Sequence, residues 1–97
     1  MTPRNYEVKT SSSLEQLKTA YIYNNLYINP FNDREKITFL GFDGKTAHFS
    51  ASFLNGNFIR KQNYSFNVHD GSYIEINKLR FFIHDIQKDN ITYELLN

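Results

Sequence analysis

From Ile37 to Leu96 the chain alternates apolar and polar residues in short runs separated by turn dipeptides. The runs are "ITFLGF", "KTAHFSASFL", "NFIRKQNYSFNVH", "SYIEI", "LRFFIHDIQ" and "ITYELL". Successive residues of a strand point to opposite faces, so this alternation marks half-buried strands. Asp43-Gly44, Asn55-Gly56 and Asp70-Gly71 each suit the positive φ values of a type I′ turn, the tightest hairpin link. Asn77-Lys78 is a weaker turn signal, and Lys88-Asp89-Asn90 marks a last turn. The pattern predicts about six strands over residues 37–96, joined in order by hairpins.

Ahead of them, "SSSLEQLKTAYIYNN" reads as a helix over about 12–25. Ser12 with Glu15, or Ser13 with Gln16, forms a capping box, and Leu14, Leu17 and Tyr21 make one apolar stripe. Asn24-Asn25 supplies the stop and Pro30 bars continuation. Tyr6 and Val8 alternate with polar neighbours, a weak strand signal. The expected fold is α+β and mainly β: one N-terminal helix packed on a curved antiparallel meander, in a single domain over 1–97.

Tight turns fix register, so cross-strand partners follow from them. Two-residue turns at the three X-Gly sites put Leu40 opposite Ala47, Thr38 opposite Phe49, Phe53 opposite Phe58, Ala51 opposite Arg60, Val68 opposite Tyr73 and Phe66 opposite Glu75. A tight turn at Asn77-Lys78 puts Glu75 opposite Arg80 and Tyr73 opposite Phe82. One sheet face then collects Leu40, Phe42, Ala47, Phe49, Ala51, Phe53, Phe58, Tyr64, Phe66, Val68, Tyr73, Phe82 and Ile86 as the main core. The other carries His48, Ser50, Ser52, Lys61, Asn63, Ser65 and Asn67 as a solvated surface. Further along, that second face presents Ile74, Ile76, Leu79, Phe81 and Ile83, too many apolar side chains to leave wet. The helix stripe is the expected cover. A partner protein is the other, which makes Ile74, Ile76 and Phe81 a candidate partner interface.

Composition narrows the function classes. Ninety-seven residues suit one domain, and 40% hydrophobic with 16% aromatic residues argues for a folded core rather than disorder. A net charge of +1 supplies no global field for nucleic acid or anionic membrane. The lack of Cys removes disulfides, thiol catalysis and Cys-ligated zinc. No apolar run reaches the roughly 20 residues needed to span a bilayer, and "MTPRNYEVKT" lacks the apolar centre of a signal peptide. The compartment stays open.

Two His-Asp pairs, His69-Asp70 and His84-Asp85, raise the question of general-base or metal chemistry. Asp70 opens a turn signal, and strand neighbours point to opposite faces, so His84 and Asp85 cannot form a dyad. The same parity sets His84 on the opposite face from His48 and His69, which argues against a metal site. No Gly-x-Ser-x-Gly or phosphate loop occurs. No catalytic residue, metal or cofactor is expected. The one polar group on the apolar face is Arg60, Gln62, Glu75 and Arg80, with His84. At the mouth of a curled sheet these would clamp a small anionic or apolar ligand. "NFIRKQNYSF" interleaves aromatic and basic residues as a single-strand nucleic-acid platform would, but Lys61 points away from Phe58, Tyr64 and Phe66, which disfavours that reading.

The succession "DGK", "NYSF", "DGSYIEI", "FFIHDI" and "NITYELL" is similar in rhythm to small bacterial lipocalin-like barrels over Ile37 to Leu96. The early Trp of that group is missing. The resemblance implies a curled sheet with a cavity between it and the helix. The leading expectation is a small non-enzymatic protein that binds another protein, as an inhibitor or immunity-type factor does. A lipocalin-like binder of a small molecule is the alternative, and either is compatible with a homodimer.

Overall fold

A computed structural model describes residues 17–96. Eight strands follow one another: β1 (Lys18–Tyr21), β2 (Asn25–Ile28), β3 (Lys36–Phe42), β4 (Thr46–Asn55), β5 (Phe58–Asn67), β6 (Tyr73–Ile76), β7 (Leu79–Ile86) and β8 (Asn90–Leu95). They form two four-stranded antiparallel sheets, β1-β8-β7-β6 and β2-β3-β4-β5. The sheets lie face to face and do not close into a barrel. No helix among the described residues is long and apolar enough to cross a membrane.

The helix expected over 12–25 is not formed in its described part. Lys18–Tyr21 is β1, paired with β8, and a turn at Ile22–Asn24 leads into β2. Helix propensity is a weak prior, and here β-branched Thr19 and Ile22 with aromatic Tyr21 and Tyr23 suit a pleated surface instead. Ala20 points inward opposite Ile91 while Thr19 and Tyr21 stay exposed, which is a strand's alternation. Residues 12–16, with the capping box and Leu14, lie outside the described residues, as do Tyr6 and Val8.

The chain changes sheets twice. At Ile22–Asn24 it passes from β1 to β2, fastened by Ile22 N–H to the Asp89 carbonyl (2.9 Å) and Phe39 N–H to the Asn24 carbonyl (3.0 Å). At Val68–Ser72 it passes from β5 to β6. The hairpin expected at Asp70-Gly71 is therefore a corner, and Val68–Tyr73 and Phe66–Glu75 are not pairs. Asp70 Oδ1 accepts the Ile86 N–H (3.0 Å), while Gly71 N–H donates to the Ile83 carbonyl (2.7 Å). Backbone bonds to β7 thus replace the ladder that a hairpin would have supplied.

The corner explains the core. Because the second sheet turns over the first, Ile74, Ile76, Phe81, Ile83, Ile91 and Tyr93 face Ile37, Phe39, Ala47, Phe49 and Ala51. The face expected to need a helix is covered by the other half of the same chain. Ile74, Ile76 and Phe81 are buried, which removes them from any docking surface of the folded chain. Phe39–Phe49 (5.7 Å between centroids), Phe49–Phe66 (6.1 Å) and Phe81–Tyr93 (5.9 Å) pack at tilted angles favoured by ring quadrupoles.

Register departs from expectation at the first turn. Asp43 Oδ1 accepts the N–H groups of Lys45 (3.0 Å) and Thr46 (2.7 Å), making an Asx turn wider than two residues. The wider turn shifts the register by two residues, pairing Phe42 with Ala47, and a bulge beside Gly41 takes one back, so Phe39 pairs with Phe49. A one-residue slip exchanges faces, and Ile37 and Phe39 point inward where Thr38 and Leu40 were expected. The second hairpin turns at Gly56-Asn57, with Gly56 at φ 67°. That shift of two residues preserves every face. Asn77 and Lys78, at φ 49° and 72°, make the two-residue link with both φ positive that type I′ requires, and Glu75–Arg80 and Tyr73–Phe82 pair as expected.

Two substitutions test this packing by urea denaturation. Phe49→Ala empties a fully buried ring site and should cost about 3–5 kcal/mol, whereas Ser50→Ala on the outer face should stay within about 0.5 kcal/mol. Gly41 has φ 127°, and an added Cβ would lie 3.1 Å from Ile22 Cδ1. Gly41→Ala should therefore cost about 1–3 kcal/mol.

Candidate interaction surface

The sheets differ in length where it matters. β4 and β5 have ten residues each, whereas β6 has four and turns at once into β7. At roughly 3.3 Å per residue the long hairpin spans about 33 Å and β6 about 13 Å. The end of the β4–β5 hairpin, exposed from Asn55 to Arg60, forms an overhang beyond the buried core, and the molecule measures 51 × 34 × 18 Å.

On β5 the residues that share a face with the core are Phe58, Arg60, Gln62, Tyr64 and Phe66, opposite Asn55, Phe53, Ala51, Phe49 and Ala47. Phe66 and Tyr64 pack against the core, but Gln62 and Arg60 are exposed and Phe58 is 77% exposed. A groove of about 300 Å³ lies here, lined by Phe53, Leu54, Asn55, Arg60, Gln62 and Tyr64, with Asn77 of the β6–β7 turn at its side. Among the described residues nothing covers it.

The overhang is braced from behind. β3 starts at Lys36, opposite Ser52, so β4 beyond Ser52 lacks a ladder partner on that side. The loop 29–35 supplies substitutes. Glu35 Oε2 accepts the Leu54 N–H (2.9 Å), Glu35 Oε1 accepts from Asn29 Nδ2 (2.8 Å), and the Ser52 hydroxyl donates to the Arg34 carbonyl (2.8 Å). These bonds, the Leu54 N–H first, hold the Glu35 carboxyl below its usual value. Tyr93 ties the sheets together across the core, its hydroxyl donating to the Leu26 carbonyl (2.7 Å), and burial pushes its pKa up to about 12.

The polar group expected at a barrel mouth does not converge. Arg60 and Gln62 line the overhang groove. Glu75 and Arg80 stand opposite each other on the exposed face of the second sheet. His84 is exposed beside a bulge in β7, its Nε2 3.2 Å from Glu94 Oε1 and its ring edge-on to Phe82. Neither His-Asp pair acts as a dyad: His69 Nδ1 lies 2.7 Å from the Asp70 carbonyl, Asp70 staples the corner, and Asp85 accepts from Gln87. Among the described residues no three of His, Asp and Glu gather into a metal-holding group.

The core expected to hold Phe53, Phe58 and Tyr64 keeps Phe53 and Tyr64, half-buried against it, and leaves Phe58 exposed. The signal for it was arm length, since "KTAHFSASFL" and "NFIRKQNYSFNVH" far exceed "SYIEI". Comparison with protein-family models, curated proteins and solved structures finds no match.

Glu35→Ala should speed hydrogen exchange at the Leu54 amide while leaving the core amides unchanged. In the unsubstituted chain, the same loosening should set in as pH falls through 4.5 and below, because a carboxyl with a depressed folded pKa stabilises only while ionised. At the alkaline end the sign reverses. Tyr93 contributes stability in full below pH 10, lost as pH rises from there through about 12. Tyr93→Phe should cost about 1–2 kcal/mol at neutral pH and reduce the alkaline fall in urea midpoint.

Proposed function

We propose that this chain is a non-enzymatic binding module that engages another protein chain through the β4–β5 overhang, as an inhibitor or immunity-type factor would. The observation that carries the reading is the braced inner face of the hairpin, where half-buried Phe53 and Tyr64 line an open groove with Arg60 and Gln62 and Phe58 stands exposed on the same face of β5. Aromatic and Arg side chains dominate interface energetics because they bury large area with little conformational loss. A rigid mount lowers the ordering cost of association further.

Single-strand nucleic acid is less well served. Binding a backbone takes several cationic contacts, and Arg60 is the one basic side chain of β5 on this face, with Lys61 on the other. A ligand inside the fold is also less well served, because Phe39, Phe49, Phe81, Ile83 and Ile91 fill the space between the sheets.

The test is site-specific photocrosslinking in cells, with a photoreactive side chain at Phe58 or, as control, at Ser50 on the opposite face. The proposal expects a discrete protein adduct from position 58 alone, lost when Arg60→Glu is added. Equal labelling from both positions, or none from 58, would contradict it. Once a partner is in hand, Phe58→Ala and Arg60→Ala should each weaken binding by about 2 kcal/mol.

A further inference from the structure

We infer that the partner received by this surface is a second copy of the chain, joined to the first by antiparallel pairing of the two β5 strands about a two-fold axis at Gln62. The inference rests on the docking reading above and specifies its occupant.

β5 is an edge strand of its sheet, paired among the described residues with β4 alone. The Val68 N–H donates to the Lys45 carbonyl (3.1 Å), which fixes the alternation of backbone direction along the strand. Residues 58, 60, 62, 64 and 66 turn their backbone groups toward β4. Residues 59, 61, 63, 65 and 67 turn theirs to the open edge, an unused template for another strand.

A two-fold axis at Gln62 uses that edge in the correct phase. It sets Lys61 opposite the partner's Asn63 and Ile59 opposite the partner's Ser65, each pair exchanging two backbone bonds. Between these lie the closer, non-hydrogen-bonded pairs, where side chains meet most directly. Phe58 then faces the partner's Phe66, Arg60 faces the partner's Tyr64, and Gln62 faces its own mate. The inward residues of β5 read Phe, Arg, Gln, Tyr, Phe, so the strand complements itself: aromatic on aromatic at the ends, cation on aromatic ring within, amide on amide at the axis. No like charges stand directly opposite.

Neighbouring registers are worse. An axis at Lys61 sets two ammonium groups against each other. An axis at Asn63 sets Phe58 opposite Val68, whose side chain is buried in its own core and offers the ring no contact. The axis at Gln62 also places each exposed hairpin end alongside the base of the other copy, where the second sheet of that copy stands. The surface each chain leaves uncovered is thus bordered by its mate.

The chain contains no Cys, so single substitutions read the register directly. Opposed non-hydrogen-bonded residues have Cα atoms about 4.5 Å apart, within the span a disulfide accepts. Gln62→Cys should oxidise in air to a covalent dimer, whereas Lys61→Cys and Asn63→Cys should not. Sedimentation equilibrium of the unsubstituted protein should show a monomer–dimer equilibrium. Asn63→Pro removes an edge-facing N–H without touching the β4 ladder, so it should weaken the dimer by roughly tenfold or more with an unchanged circular dichroism spectrum. A monomer at every concentration, or equal oxidation of all three Cys variants, would overturn the inference. The docking reading fails separately. If position 58 captures a different protein in cells while Gln62→Cys stays monomeric, docking stands and the second copy is excluded. If it captures nothing and no dimer forms, both fall.

Discussion

The corner between β5 and β6 is the constraint on which the rest depends. Had Asp70-Gly71 closed a hairpin, the strands would form one sheet with a strongly apolar patch on its far side. Instead Asp70 accepts the Ile86 N–H and Gly71 donates to the Ile83 carbonyl. The chain crosses to a second sheet whose inner face meets the first. Ile74, Ile76, Phe81 and Ile83 join one core with Ile37, Phe39 and Phe49 by that crossing.

The same crossing creates the exposed surface. A corner placed after a long strand and before a short one cannot cover the whole of the long one, so the end of the β4–β5 hairpin stays exposed beyond the buried core. Its far end keeps the inward polarity of a core face, with Phe58 and Phe53, but gains Arg60 and Gln62, which a sealed core would not hold without partners. Glu35, Asn29 and Ser52 supply the backing that the missing ladder does not. The overhang is therefore a supported feature of the fold rather than a frayed end.

Much of the sheet was legible in the sequence because alternation and turn chemistry are local. The Asn77-Lys78 link, the Glu75–Arg80 and Tyr73–Phe82 pairs, and the polar face from His48 to Asn67 follow from them directly, save for Ser52, which is buried and bonded to the Arg34 carbonyl. What was not legible depended on distant partners. Leu17 and Tyr21 fit a helical stripe, but pairing of Ala20 with Ile91 overrides it. Asp43 looks like a two-residue turn until its carboxylate binds two amides, and the bulge at Gly41 then exchanges the faces of Ile37 and Thr38. Arg60 and Gln62 were singled out for being polar on an apolar face, and they do line an open groove. Alternation along one continuous sheet would place Glu75, Arg80 and His84 beside them, and the corner puts those three on the second sheet.

Residue-resolved amide exchange along β5, at low and high protein concentration, distinguishes an edge that pairs with a second copy from one that stays open. The edge-facing amides of Lys61, Asn63 and Ser65 should exchange fast in dilute solution and gain protection as concentration rises. The amides of Gln62 and Tyr64, already bonded to β4, should change little. Edge-facing amides that exchange rapidly at every concentration, with no difference between the two samples, would contradict that pairing.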